Sequence, residues 1–242
     1  MVTDAQKNKR YVLVVDAVID DRFYTGMLLQ RFGCNTLTAH SPAEAIEFMA
    51  VAPPSAVVAD AEQNGPTLLS KITQDPRFLD VPLILLSSSH NAELESRARR
   101  GDFAAFLRKP LDVDAFYRVV QEVIEKGPRR NLRIETHVTA KLEDELSGGE
   151  GHITVLSEYG MFFRTLEPRP VHARVPISFT IKGRLIKLEA IVLYTTTFEE
   201  GPFKEPGMGM KFVKFSRADR DLIAAFIREQ IEEGITRPGP ER

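Results

Sequence analysis

The spacing of the hydrophobic residues along this chain changes near residue 127. Between residues 11 and 125, short β-rich runs alternate with segments whose apolar residues repeat at helical spacing. From Ile134 onward the period is mostly two, and turn-rich stretches separate the apolar runs. Lys126-Gly127-Pro128 stands where the two patterns meet. We therefore expect an α/β domain followed by an all-β domain.

The first pattern predicts a parallel sheet with helices packed on it. Ser41 and Glu44 have the spacing of a capping box, and Gly33 and Gly101 stand where helices should stop. Asp112 is placed to cap the last helix of this part. Five strands alternating with five helices indicate a doubly wound five-stranded parallel sheet. The strands are expected at residues 12–15, 36–39, 56–59, 83–87 and 104–107.

The second pattern predicts an antiparallel barrel or sandwich, because an alternating pattern marks strands with one buried face. Ser216 and Asp219 form a second capping box, which predicts a helix that runs through Ile231. We expect an N-terminal tail at residues 1–10 and a disordered tail at residues 235–242. The predicted strands lie within residues 135–143, 153–156, 161–165, 175–181, 185–194 and 208–215.

Composition excludes several classes of protein. The 242 residues are 43% hydrophobic and 27% charged, which is typical of a folded protein and not of a disordered chain. The two longest stretches without a charged residue have 12 residues each, too short to span a bilayer, and no signal-peptide pattern is present. Cys34 is the only cysteine, which excludes an internal disulfide and fits a reducing compartment. We expect a cytoplasmic protein that does not bind membranes.

Charge gives no sign of nucleic-acid binding. Residues 1–127 hold 14 Lys or Arg against 17 Asp or Glu, and residues 128–242 hold 18 against 17. Neither half is basic enough for a phosphate backbone, so no DNA partner is expected. The histidines have no metal-ligand spacing and no serine stands in a nucleophile-elbow motif, so we do not expect an enzyme.

Polar residues follow the predicted strands of the first domain, at the edge where ligands gather in an open parallel sheet. Strand one ends at Asp16, strand three at Asp60 and strand four at Ser87. Lys109 follows strand five. We therefore expect these four side chains to meet at one site. A carboxylate that attacks a phosphoryl group needs such cations and hydrogen-bond donors to neutralise the developing negative charge.

These residues, in this order, resemble the receiver domain of bacterial response regulators over residues 11–125. The resemblance implies a flavodoxin-like fold in which Asp60 takes a phosphoryl group from a histidine kinase. It also implies that Lys109 pairs with Asp60, that Ser87 bonds a phosphoryl oxygen, and that Phe106 is the aromatic switch residue. Asp16 and Asp60 are then the expected Mg²⁺ ligands.

The sequence departs from the receiver pattern in the metal site. Receivers carry two adjacent acids after the first strand, but here Ala17 follows the first acid. Asp20 and Asp21 lie one helical turn further on, and we expect them to be too far away to replace it. The loop after Asp60 is shorter than in the family, which removes a second metal contact. We therefore expect a receiver that is poorly or not phosphorylated, the alternative being that Asp60 and Lys109 form only a structural ion pair.

Two short motifs stand at the start of the second domain. Arg129, Arg130 and Arg133 form an R-x-x-x-R run without acids, and Ser157 and Gly160 follow about two strands later. Arginine guanidinium groups pair with phosphate oxygens and stack on bases, so this run is suited to an anionic nucleotide. The alternative is an ordinary charged linker.

Together with the alternating pattern, these motifs resemble those of PilZ domains over residues 128–233. The resemblance implies a six-stranded antiparallel β-barrel with a C-terminal helix that binds the messenger cyclic di-GMP. The family's second motif is D/N-x-S-x-x-G, and Val155 replaces the acid or amide that accepts hydrogen bonds from guanine. If the N–H donors of guanine have no acceptor, the affinity for the nucleotide falls by roughly one to two orders of magnitude. The implied nucleotide-binding residues are Arg129, Arg130, Arg133, Ser157 and Gly160.

The two resemblances imply a signalling protein whose receiver modulates cyclic di-GMP binding by the PilZ domain. The implied partners are a histidine kinase, a downstream protein target and a second copy bound through the receiver, for which the helix at residues 97–100 is the candidate surface. The alternative is a non-enzymatic adaptor in which both sites have lost their ligands. The expected domains are the receiver at 11–126, an arginine-rich linker at 127–133 and the PilZ-like barrel at 134–234.

Overall fold

A computed structural model of the protein describes residues 11–124, 131–143, 149–198 and 205–235. The chain divides into two compact units, one of Met1–Arg130 with Gly234–Arg242 and one of Asn131–Glu233. The expected N-terminal tail, the linker residues 127–130 and the tail residues 236–242 lie outside the described residues.

The first unit contains five strands that alternate with five helices. The strands pair in parallel in the order β2-β1-β3-β4-β5, which confirms the predicted doubly wound sheet. The elements are β1 (Tyr11–Val15), α1 (Ile19–Arg31), β2 (Asn35–Ala39), α2 (Pro42–Val51), β3 (Ala56–Asp60), α3 (Gly65–Gln74), β4 (Leu83–Ser87), α4 (Ala92–Arg100), β5 (Ala105–Arg108) and α5 (Val113–Ile124).

Local signals in the sequence set the ends of these helices. The Ser41 hydroxyl accepts a hydrogen bond from the Glu44 amide at 3.3 Å, and Asp112 accepts one from the Ala115 amide at 2.7 Å. Gly101 ends α4 in the left-handed conformation, with a φ of 83°. Strands β3 and β4 are fully buried and pair in parallel, so their last residues, Asp60 and Ser87, lie at the same edge of the sheet.

The second unit is a closed antiparallel barrel followed by a helix. Its strand order is β10-β11-β8-β7-β6-β9, which selects the barrel over the sandwich. The first strand begins at Arg133, a residue that the sequence assigned to the linker. The elements are β6 (Arg133–Leu142), β7 (Glu150–Ser157), β8 (Gly160–Arg164), β9 (Arg174–Ile181), β10 (Arg184–Thr196), β11 (Gly207–Lys214) and α6 (Arg217–Glu232).

Helix α6 packs its apolar face on the barrel. The Ser216 hydroxyl accepts a hydrogen bond from the Asp219 amide at 3.0 Å, as the capping box predicts. The helix contacts β6, β7 and β9, and three isoleucines at helical spacing are buried: Ile223, Ile227 and Ile231. Ile235, which the sequence placed in a disordered tail, is also buried.

Aromatic rings lie directly over glycines of the barrel. Gly209 pairs with Tyr194 across β10 and β11, and a Cβ atom added at Gly209 would lie 2.2 Å from ring atoms of Tyr194. A Cβ atom at Gly207 would lie 2.8 Å from the ring of Phe162. No real Cβ atom tolerates such distances, so these rings occupy the space that a side chain at either glycine would need.

Candidate functional site

Lys109 lies at the centre of the acidic edge of the parallel sheet. Its Nζ atom is 2.9 Å from Oδ2 of Asp16, at the end of β1, and 3.0 Å from Oδ2 of Asp60, at the end of β3. It also lies 2.5 Å from Oδ2 of Asp21, in the first turn of α1. All three carboxylates are buried. The structure thus gathers three acids around one ammonium group.

Asp21 reaches the pocket, although the sequence led us to expect both Asp20 and Asp21 to be too far away to replace the missing acid. Helix α1 begins at Ile19, and its buried face includes Asp21, Tyr24 and Leu28, at spacings of three and four residues. Asp21 therefore points inward, whereas Asp20 is exposed. The same helical spacing was readable from the sequence and would have identified Asp21.

Burial and hydrogen bonding act in opposite directions on the ionisable groups of this pocket. Burial alone would lower the pKa of Lys109, but its hydrogen bonds to Asp21 and Asp16 raise it well above the ordinary 10.5. For Asp16, burial is the larger effect and raises the pKa despite the hydrogen bond from Lys109. Lys109 is therefore a fixed cation at every physiological pH.

The hydroxyl of Ser87 contacts a carboxylate that the sequence interpretation missed. Ser87 donates a hydrogen bond to Oε1 of Glu62, and the Ser89 hydroxyl donates to the same oxygen at 2.9 Å. Burial tends to raise the pKa of Glu62, but these hydrogen bonds bring it below its ordinary value. A carboxylate oxygen thus occupies the donors that a phosphoryl group on Asp60 would need. The exposed loop position of Glu62 gave no signal in the sequence.

The residues present do not fit an ordinary magnesium site. Both oxygens of Asp16 are engaged, Oδ1 by the Val18 amide at 2.9 Å and Oδ2 by Lys109. Both oxygens of Asp60 are engaged as well, by the Gln63 amide and Lys109. Ala17 adds no oxygen ligand, and no group of three His, Cys, Asp or Glu residues within the described ranges is arranged to hold a metal ion.

Phe106, the expected switch residue, lies on β5 and is half-buried. Its ring packs against the core of the first unit. It makes no ring-to-ring contact with another aromatic residue in the part of the chain that the structure describes.

In the barrel, the described residues of the two predicted nucleotide motifs lie on one face. Arg133 is directly opposite Ser157 in the β6–β7 pair, and Ser157 is opposite Gly160 in the β7–β8 pair. The Ser157 hydroxyl donates to the Gly160 carbonyl at 2.9 Å. A Cβ atom at Gly160 would lie 2.5 Å from the Met210 carbonyl oxygen, so glycine is needed there for the approach of β11. Arg129 and Arg130 lie outside the described residues.

A second row of side chains runs beside this one across the barrel. Glu135 pairs with Val155, which pairs with Phe162, and Phe162 pairs with Gly209. Directly opposite residues of antiparallel strands share a face, so this row lies on the same outer face as Arg133 and Ser157. The row is apolar except at Glu135, which is exposed and which the sequence interpretation did not single out.

Two side chains, one just before α6 and one within α6, contact the turn between β7 and β8. Tyr159 packs edge-to-face on Phe215, with ring centroids 6.4 Å apart, and Glu158 pairs with Arg220 at 3.6 Å. Tyr159 and Glu158 therefore connect this turn to the segment around the start of α6.

A parallel sheet in the order β2-β1-β3-β4-β5, with acids and a lysine at its carboxyl edge, has the flavodoxin-like fold. The second unit is a six-stranded barrel followed by a helix. The PilZ domain family matches residues 128–229. The second unit thus matches the PilZ domain family and the first matches response regulators, which confirms both predicted resemblances.

The chain is similar to several proteins of known identity. It is 23% identical to the two-component response regulator ARR9 of Arabidopsis thaliana, over 58% of this chain and 70% of the relative. A response regulator receiver domain protein from Clostridium thermocellum is 20% identical, with a TM-score of 0.43, over 48% of this chain and 94% of that one. The inhibitor of motility MotI/DgrA from Bacillus subtilis is 15% identical, with a TM-score of 0.39, over 45% and 54%.

This domain pair belongs to two-component and cyclic di-GMP signalling. Receiver and PilZ domains are generally regulatory, receiver domains use Mg²⁺, and PilZ domains are known for binding cyclic di-GMP. Among the described residues, no helix is both long and apolar enough to cross a membrane.

Proposed function

We propose that this protein is a cytoplasmic, non-enzymatic signalling protein that binds cyclic di-GMP on the outer face of strands β6–β8. The observation that carries the proposal is the pairing of Arg133 with Ser157, next to Gly160. Arginine guanidinium groups pair bidentately with phosphate oxygens and with the guanine Hoogsteen edge. Arg129 and Arg130 precede this face in the sequence and add two further cations to the proposed site.

Val155 sets the affinity that we expect. Its half-buried side chain accepts no hydrogen bond, so one set of polar ligand atoms loses the usual partner at this position. Such a loss costs about 1–3 kcal/mol, which corresponds to roughly one to two decades of affinity. If no other residue supplies the acceptor, binding should be weaker than that of a PilZ domain with an acid or amide here.

We propose that the receiver, residues 11–126, couples this site to a downstream protein with little or no phosphoryl transfer. Asp60 is the position to which a histidine kinase would deliver a phosphoryl group, but its two oxygens and the Ser87 hydroxyl are already engaged. Helix α4 has no buried residue and carries Arg97, Arg99 and Arg100. It is the surface that we propose for a second copy or a target protein.

Isothermal titration with cyclic di-GMP tests the nucleotide site. The wild type should bind, and Arg133→Ala should abolish or strongly weaken binding. Arg164→Ala is a matched control, because Arg164 is an exposed arginine at the far end of β8. Equal losses in both variants would point to non-specific electrostatics, and no binding by the wild type at high ligand concentration would reject the proposal.

The second candidate function is an adaptor that acts only through protein contacts. The observation that favours it is the ion cluster around Lys109, in which three carboxylates already share one cation. Beryllofluoride with magnesium, used as a phosphoryl mimic, should leave Asp60 largely unmodified in either case. Stoichiometric, magnesium-dependent modification would contradict the proposal that the receiver has lost phosphoryl transfer.

A further inference from the structure

Glu135 is the nearest carboxylate to Val155 along the barrel ladder. The two residues are direct partners in the β6–β7 pair, two positions from the partners Arg133 and Ser157. Partners in an antiparallel pair have Cβ atoms about 4.5–5.5 Å apart and point to the same face. The carboxylate of Glu135 therefore lies over the part of the barrel surface where an acid or amide at position 155 would present its acceptor atoms.

The Glu135 carboxylate is available for a ligand. The side chain is exposed, and it makes no hydrogen bond or ion pair with any other residue that the structure describes. The β6–β7 pairing is irregular immediately after Glu135. Bulges of this kind bend the strand and re-aim the side chains next to them.

We propose that Glu135 replaces the missing acceptor of Val155 and makes this site selective for guanine. Guanine presents two adjacent N–H donors, the ring N1–H and the exocyclic amino group, and a carboxylate presents two acceptor oxygens. Adenine has no N–H at ring N1 and cannot make this pair. The half-buried apolar side chain of Val155 lies beside Glu135 and can contact the face of the base. The assignment rests on the proposed cyclic di-GMP site.

Titration of single variants with cyclic di-GMP and cyclic di-AMP tests the assignment. The wild type should prefer cyclic di-GMP. Glu135→Ala should weaken cyclic di-GMP binding by about tenfold or more, as expected for a charge-assisted hydrogen-bond pair, and should leave cyclic di-AMP binding unchanged. Glu150→Ala is the matched control, because Glu150 is an exposed glutamate at the opposite end of β7, and it should change neither affinity. Adding Val155→Asp to Glu135→Ala should restore the preference for cyclic di-GMP.

Two results would separate this assignment from the proposed function. If Arg133→Ala abolishes binding of cyclic di-GMP and Glu135→Ala does not change it, the nucleotide site stands and the role of Glu135 is wrong. If Glu135→Ala weakens both nucleotides equally and Val155→Asp restores nothing, Glu135 acts on the fold of the site and not on the base. No binding of either nucleotide by the wild type would overturn both proposals.

Discussion

Lys109 Nζ lies 2.5 Å from Oδ2 of Asp21, so the first turn of α1 is tied to the segment after β5. The same ammonium bonds Asp16 and Asp60 at the ends of β1 and β3. One side chain therefore joins four segments of the first unit. The positive charge of Lys109 should therefore affect both the stability of this unit and the reactivity of Asp60.

Replacing Lys109 should destabilise the first unit strongly. Lys109→Met leaves three buried carboxylates without a cation, and breaking a buried ion pair on one side typically costs about 3–5 kcal/mol. Urea unfolding of the full chain, followed by a probe in the first unit, measures the loss. Lys71→Met changes an exposed lysine of α3 and should alter the free energy of unfolding by less than about 0.5 kcal/mol. Similar values for the two variants would contradict the role of the cluster.

The contribution of Lys109 should disappear at alkaline pH. A raised pKa in the folded state means that folding favours the protonated lysine. The stabilisation is therefore fully present below the ordinary lysine pKa of 10.5 and is lost as the pH rises through the raised value. The difference in unfolding free energy between wild type and Lys109→Met should be constant near neutral pH and shrink above 10.5. A difference that stays constant across this range would show that the ammonium charge is not its source.

Asp21 and Asp20 should behave differently although they are neighbours. Asp21→Asn removes one of the hydrogen-bonded carboxylates that raise the pKa of Lys109, so this pKa should fall. Asp20→Asn removes an exposed charge that solvent screens, and the pKa should not change. NMR titration of the Lys109 side-chain nitrogen distinguishes the two. A shift in Asp20→Asn as large as that in Asp21→Asn would rule out the specific contact.

Two substitutions together should restore the binding of a phosphoryl mimic at Asp60. Ala17→Asp supplies the missing carboxylate, and Glu62→Ala frees the hydroxyl of Ser87. The double variant should bind beryllofluoride in a magnesium-dependent manner, more strongly than either single variant, as measured by ¹⁹F NMR. Ala17→Asp with Glu47→Ala is the control, because Glu47 is an exposed glutamate of α2. If this control gains as much as the first pair, the Glu62–Ser87 contact is irrelevant.

Gly160→Ala should destabilise the barrel by about 1–3 kcal/mol, the usual cost of overpacking. The added Cβ atom would lie 2.5 Å from the Met210 carbonyl oxygen, which belongs to the backbone of β11 and cannot rotate away. Gly26→Ala is a control of opposite sign. Its Cβ atom would make an ordinary contact at 3.5 Å with Thr38 of β2, and alanine is the better helix former at this position of α1. Thermal unfolding of both variants checks the prediction, and a neutral Gly160→Ala would contradict it.

The sequence predicted most of the fold because its signals are local. The capping residues Ser41, Asp112 and Ser216 each make the predicted hydrogen bond. Alternation of apolar residues located the strands of the barrel, but it could not distinguish a barrel from a sandwich. That choice depends on which strands pair at the two edges, and edge pairing leaves no mark in the local pattern.

The site was predicted less completely than the fold, and its unexpected members were missed for different reasons. Asp21 was judged by its distance along the chain, although helical geometry turns it toward Lys109. Glu62 reaches Ser87 from a loop, and loop conformation has no periodic signal. Glu135 became visible only through its register with Val155, since a one-residue shift would have placed it inside the barrel.

Gly209 and Tyr194 share a single volume on the barrel surface, because the ring fills the space above the glycine. The two positions should therefore not change independently. A side chain at position 209 requires either a smaller residue at position 194 or a ring that rotates away from β11. The effects of substitutions at these two positions should be strongly non-additive.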